Sequence, residues 1–147
     1  MRIQDMLVPY IVVNVLALVL LWLATKKPRL ARWIFGAIFV GAAFFNAYMA
    51  AKKPEAYITA YGPSAWLPVY RDFIYGFFSR ATAPLVLLIA AGQAVCGVLL
   101  FTQRRYKLGA LGAIIFLLAI TPLGFGSAFP LGLIMVVGLI LAMPKGR

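Results

Sequence analysis

The stretch Ala81 to Phe101 reads ATAPLVLLIAAGQAVCGVLLF and carries no charged side chain. A hydrocarbon layer of ~30 Å needs about 20 apolar residues in helical form at ~1.5 Å each, which is the length of this stretch. Pro84 lies in its first turn, where an N–H would have no intrahelical partner, so a helix starts just before it. The same ruler, moved outward, finds four more spans: Met6 to Ala24, Trp33 to Ala51, Leu108 to Pro122 and Phe129 to Met143. The last two are short; they are extended by Tyr106 to Gly109 and by Leu123 to Ala128, or they sit where the bilayer thins. Pro28, Pro54, Pro63, Pro68, Pro122, Pro130 and Pro144 punctuate the connections, because a missing N–H and a fixed φ oppose helix continuation.

Composition supports lipid as the solvent. Of 147 residues, 65% are hydrophobic and 12% charged, and mean hydropathy is +0.99; a soluble domain is about half apolar and about a quarter charged. The chain has no histidine, one cysteine (Cys96) and three acidic residues, Asp5, Glu55 and Asp72. The usual metal sites, disulfide pairs and Ser/His/Asp triads therefore cannot be assembled within one chain. No Asp, Glu, His, Lys or Arg stands in mid-span, so a pump or proton-coupled transporter would lack its relay. Cys96 alone reads as a small buried apolar residue.

The net charge of +11 would suggest nucleic acid if the basic residues formed one face. Instead they cluster at span ends, where they anchor helices at anionic headgroups. The partners implied are membrane lipids, with no nucleic acid. With the N-terminus outside, Lys26, Lys27, Arg29, Arg32, Arg104, Arg105, Lys107, Lys145 and Arg147 fall inside, against Arg2, Lys52, Lys53, Arg71 and Arg80 outside. The positive-inside rule thus predicts a cell (inner) membrane protein with an external N-terminus and a cytoplasmic C-terminus. Met6 to Ala24 is read as a retained helix, since cleavage after Ala24 would put bulky Trp22 where a signal peptidase wants a small residue.

Between the second and third spans, Lys52 to Arg80 is too long for a turn and too aromatic for a solvated linker. Within it, segment 64–80 predicts a short interfacial helix in the outer loop. Trp66, Tyr70, Phe73 (or Ile74) and Phe77 recur at three- and four-residue intervals and share one face, while Arg71, Asp72 and Tyr75 face elsewhere. Such a helix anchors in the headgroup plane or covers a ligand pocket. Asp72 is placed to pair with Arg71 or Arg80.

Asn14, Asn46 and Gln93 are carboxamides at membrane depth, and each needs a hydrogen-bond partner to be tolerated there. They are expected to face protein as a structural polar cluster. Two uses are open: interhelical bonding, or a neutral site for a quinone carbonyl or lipid headgroup with Tyr48 and Trp33 as ring contacts. Small-x-x-x-small pairs at Ala37/Gly41, Gly92/Cys96 and Gly109/Ala113 predict close helix packing.

Arg32-x-x-x-Gly36-x-Ile38-Phe39, then Asn46, then GQAVCGVLL at Gly92 to Leu100, a basic turn at Arg104 and Arg105, and Leu108-Gly109-Ala110 resemble the DoxX-like family of small membrane proteins. The resemblance covers about residues 31 to 142, with Met6 to Ala24 as an added helix. It implies a four-helix membrane bundle, and a link in some members to membrane redox assemblies, as quinone-reducing subunits or partners of thiol and superoxide enzymes. The family often has a basic residue where Asn46 stands and an acidic one where Gln93 stands; here both are neutral amides.

The expected architecture is an all-α, polytopic transmembrane helix bundle of four core helices plus one N-terminal helix. Residues 1–30 would form the N-terminal helix and loop, 31–143 the DoxX-like bundle, and 144–147 a cytoplasmic tail. The expected role is a non-catalytic accessory or anchoring subunit of a larger membrane complex, in contact with other subunits or as a homo-oligomer, with quinone or lipid between helices. A quinone-linked oxidoreductase subunit whose electron carrier lies on a partner is the alternative, and a small uncoupled permease the third.

Overall fold

The computed structural model describes residues 3–145; Arg2 and Arg147, counted in the charge balance above, and the last two residues of the tail lie outside the described residues. Long helices α1 (Ile3–Lys26) and α2 (Pro28–Lys52) lead to two short ones, α3 (Glu55–Tyr61) and α4 (Pro68–Phe73). A π turn, Ile74–Phe78, prolongs α4; then come α5 (Thr82–Phe101), α6 (Tyr106–Ile120), a 3-10 turn (Thr121–Ser127) and α7 (Leu131–Leu141). Among the described residues there is no strand. Four helices among the described residues are long and apolar enough to cross a membrane. The protein is an all-α membrane helix bundle.

The order around the bundle follows the chain: α1 packs on α2, α2 on α5, α5 on α6, α6 on α7, and α7 returns to α1. Its outer surface is largely apolar, with Val8, Ile11, Leu16, Trp22, Phe44, Phe45, Leu88 and Ile115 among many exposed large side chains. Such a belt is what a bilayer, not water, stabilises. Among the described residues of α1, Ala17, Leu20 and Ala24 are buried; their three- and four-residue spacing gives this helix a narrow inward stripe.

The α2/α5 seam is the tightest. A Cβ at Gly97 would lie 2.7 Å from Val40 Cγ2 and 3.1 Å from the Gly36 carbonyl oxygen, and one at Gly36 would lie 3.0 Å from the Gly97 carbonyl oxygen. Of the small-residue pairs expected to pack, Gly109/Ala113 does so, with Ala113 fully buried and a Gly109 Cβ position 2.9 Å from the Cys96 carbonyl oxygen. Gly41 and Gly92 have nothing within 4 Å, so these two positions are not used for packing within the chain; the seam employs Gly36 and Gly97 instead.

The fifth expected span, Phe129 to Met143, is shorter as a helix. α7 has 11 residues, a rise of about 16 Å where a bilayer core needs ~30 Å. The turn before it is sunk beside α1: the Asn14 amide donates to the Ala128 carbonyl at 3.1 Å and the Tyr10 hydroxyl to the Phe129 carbonyl. Non-helical backbone at membrane depth requires such partners. At the other end of α7, Arg32 Nη1 donates to the Ala142 carbonyl at 2.9 Å and the Tyr106 hydroxyl to the Leu139 carbonyl at 2.8 Å. Arg32 is only 8% exposed and stacks over the Tyr106 ring at 5.8 Å. A cation at a helix C-terminus also meets the negative end of the helix dipole.

The segment between α2 and α5 caps one end of the bundle. Pro122 cannot donate to the helix behind it, which leaves carbonyls near the end of α6 in need of partners. The cap supplies donors there: Tyr70 hydroxyl to Ala119 at 2.7 Å, Trp66 N–H to Pro122 at 2.8 Å and Ser64 hydroxyl to Leu123 at 2.8 Å. Gly124, with φ +65°, lies against the Trp66 indole, where a Cβ would come within 2.4 Å of Nε1. Both its backbone conformation and this contact require glycine.

Candidate functional site

Beneath the cap, α2, α5 and α6 leave a cavity of about 600 Å³. Its wall is mainly apolar, with Val86, Phe116 and Ile120 from the bundle and Ile74 and Phe78 from the π turn. Val69, Phe73 and Ile89 line it and are themselves exposed, so they border its mouth. The polar side chains in the lining are Asn46, Tyr57, Tyr61 and Tyr70.

Asn46 is the hub. Its Nδ2 donates to Gln93 Oε1 at 2.7 Å, and its Oδ1 accepts from the Tyr57 hydroxyl at 2.6 Å. Gln93 is 5% exposed and lies behind this contact. α2 and α5 run antiparallel, and side chains lean toward the N-terminus of their own helix, so Asn46 leans away from the cap and Gln93 toward it. That is how two residues at different depths along their helices meet. A carboxamide has two N–H donors, and among the described residues one N–H of Asn46 is left over. Tyr57 and Tyr61 form a tilted ring pair with centroids 6.0 Å apart. Among the described residues the Tyr61 hydroxyl makes no hydrogen bond. Burial pushes the phenols of both residues up from the ordinary tyrosine value, and for Tyr57 the neighbouring Tyr61 adds to the rise. Both remain protonated, and hence donors, at neutral pH.

The sequence-derived residues separate into three places. Asn46 and Gln93 meet; Asn14 does not join them and instead holds the turn before α7. Tyr48 points outward, 61% exposed. Trp33 stands thirteen positions before Asn46, about 20 Å away along the helix, where it packs edge-on against Phe101. Neither is a ring contact for a ligand at Asn46. In the cap, Tyr70, Ile74 and Phe78 turn toward the protein, whereas Trp66, Phe73 and Phe77 are exposed. The expected single aromatic face is thus split: helical spacing from Tyr70 runs through Ile74, the alternative at that position, and on to Phe78. Gly76, with φ −96° and ψ −106°, marks the widened turn. Arg71 donates to the Ala65 carbonyl at 2.9 Å. Tyr57 and Tyr61, one helical turn apart on α3, were not singled out from the sequence; their four-residue spacing between Pro54 and Gly62-Pro63 was the available signal.

Fold and cavity together define the class: an integral membrane helix bundle with a neutral, phenol- and amide-bearing pocket under a helical cap. Compared with known proteins, the chain matches no family model, no curated protein and no solved structure.

Proposed function

We propose that this protein is a non-catalytic accessory subunit of a membrane assembly, and that its cap-end cavity holds a quinone or lipid through one carbonyl or hydroxyl oxygen. The observation that supports the reading is the wall of that cavity, apolar except for a few hydrogen-bonding groups, of which the second Asn46 N–H and the Tyr61 hydroxyl are uncommitted among the described residues. Small-molecule sites are commonly about 300–1,000 Å³, mostly apolar, with few placed polar groups. Neutral donors inside hydrocarbon suit an uncharged acceptor, because an ion would bring a desolvation cost that nothing in the cavity offsets. The resemblance to DoxX-like proteins, some of which serve membrane redox assemblies, points the same way. A surface made almost wholly of lipid-facing helix leaves lateral contacts in the bilayer as the main route to partner subunits. By the positive-inside rule the cap lies outside the cell membrane and the opposite, basic end in the cytoplasm.

The test is to purify the full chain in mild detergent, extract it with organic solvent and identify what it retained by mass spectrometry. A quinone or a defined lipid at near-equimolar amount in the wild type, lost from the Asn46→Leu/Tyr61→Phe double variant, is the expected result. A wild type that neither retains nor takes up added quinone or lipid at this cavity overturns the ligand assignment. A partner-free, monodisperse preparation from gently solubilised native membranes overturns the accessory role.

A further inference from the structure

At the end opposite the cap, a second cleft of about 900 Å³ opens between the α1/α2 elbow and the C-terminal end of α7. Lys27, Arg29, Arg32 and Lys145 line it, with Gln103 beside them and, among the described residues, no carboxylate in the lining. The α2 N-terminus opens on the same space: Lys27 provides no side-chain cap and Pro28 has no N–H. The unpaired N–H groups of the first turn and the positive end of the helix dipole add to the field there. Arg32 supplies the most constrained donor. It is more than nine-tenths buried, its position is fixed by one bond to the Ala142 carbonyl, and that is one N–H of five. Leu30, Trp33 and Leu141 also line the cleft and are exposed, which places apolar surface directly beside the cations.

From this juxtaposition we propose that the basic cleft binds the phosphate of an anionic phospholipid, with its acyl chains along Leu30, Trp33 and Leu141. Arginine and lysine recognise phosphate by charge-assisted hydrogen bonds, and basic pockets between membrane helices on the cytoplasmic side are suited to headgroups. The apolar strip distinguishes a lipid from a free anion: inorganic phosphate would use the cations and leave that strip uncovered. The inference is independent of what occupies the cap-end cavity.

Native mass spectrometry of the full chain in mild detergent, titrated with phosphatidylglycerol, phosphatidylcholine or inorganic phosphate, tests it. The Lys27→Gln/Arg29→Gln/Lys145→Gln variant removes three exposed cations of the cleft. The Arg104→Gln/Arg105→Gln/Lys107→Gln variant removes the same charge at the same end but outside the lining. Expected are tenfold or greater loss of phosphatidylglycerol affinity in the first variant, less than twofold change in the second, and weak binding of phosphatidylcholine. Equal losses in the two variants would mean general attraction of an anionic surface and overturn the site. Binding of inorganic phosphate as tight as that of the lipid would overturn the lipid assignment and leave a free-anion site.

Discussion

At the cap end the polar groups are neutral and largely answer one another: Gln93, Asn46 and Tyr57 form a chain of hydrogen bonds in an apolar wall. At the basic end four cations share a cleft whose lining, among the described residues, includes no carboxylate. α2 contributes to both, Asn46 to one and Arg29, Arg32 and Trp33 to the other. The difference reflects depth. Amides can be satisfied pairwise inside hydrocarbon, whereas a charge is tolerated where backbone carbonyls, water or headgroups reach it. The two cavities are therefore two solutions to one constraint, and substitutions should affect them separately unless they strike the wall between.

That wall is the α2/α5 seam, and breaking it gives the largest effect. Gly97→Leu would force a side chain into Val40 and the Gly36 carbonyl, costing about 3 kcal/mol or more and disturbing both ends together. Gly41→Ala, into open space, should stay within about 0.5 kcal/mol; thermal unfolding in detergent reads both. Arg32→Met comes next. It removes a charged hydrogen bond from the end of α7, and a loss of about 2 kcal/mol is expected. Arg32→Lys should restore little, since an ammonium cannot reproduce the planar guanidinium that both bonds the carbonyl and stacks on Tyr106. Hydrogen exchange should report loosening of α7 with the cap unchanged.

Smaller effects separate bonds within the cap-end cavity. Asn46→Leu and Gln93→Leu should each destabilise, and a double-mutant cycle should give a coupling of roughly 0.5 to 2 kcal/mol. Additive losses would mean the amides do not bond in the membrane. The least costly pair contrasts two phenols. Tyr57→Phe leaves Asn46 Oδ1 without its donor and should cost about 1 kcal/mol, whereas Tyr61→Phe should cost less than about 0.5 kcal/mol. The pH dependence sharpens this. Because burial raises the Tyr57 pKa above its unfolded value, its contribution is complete below the ordinary tyrosine pKa and is lost as pH rises through the raised one. An alkaline titration of stability should show a smaller loss in Tyr57→Phe than in the wild type, the remainder including the raised Tyr61 phenol.

The helices were legible because the bilayer writes their length into the chain: Ala81 to Phe101 coincides with α5 to within one residue. The meeting of Asn46 and Gln93 was legible only as a need for partners. Counting residues from the helix ends sets them at different depths, and the lean of side chains in antiparallel helices closes that gap. The rest depended on backbone irregularity that periodicity does not register. A π turn at Gly76 moved the inward face of the cap to Ile74 and Phe78, and Pro122 with a left-handed Gly124 broke the chain after α6 into a 3-10 turn, so that α7 starts only at Leu131. Arg32 read as one of a flanking cluster; its burial follows from the unpaired carbonyls at the end of α7, which no local pattern announces. The seam glycines were hidden among others at similar spacing.

The brevity of α7 has a consequence for how the protein is made. A segment that cannot cross the bilayer alone, and whose end carbonyls are answered by Tyr10, Asn14, Arg32 and Tyr106, has little to gain from entering lipid before those four residues are in place. All four precede it in the chain. Biogenesis should thus have a fixed order, with α7 held at the translocon or the interface until α1, α2 and α6 have assembled a slot to receive it.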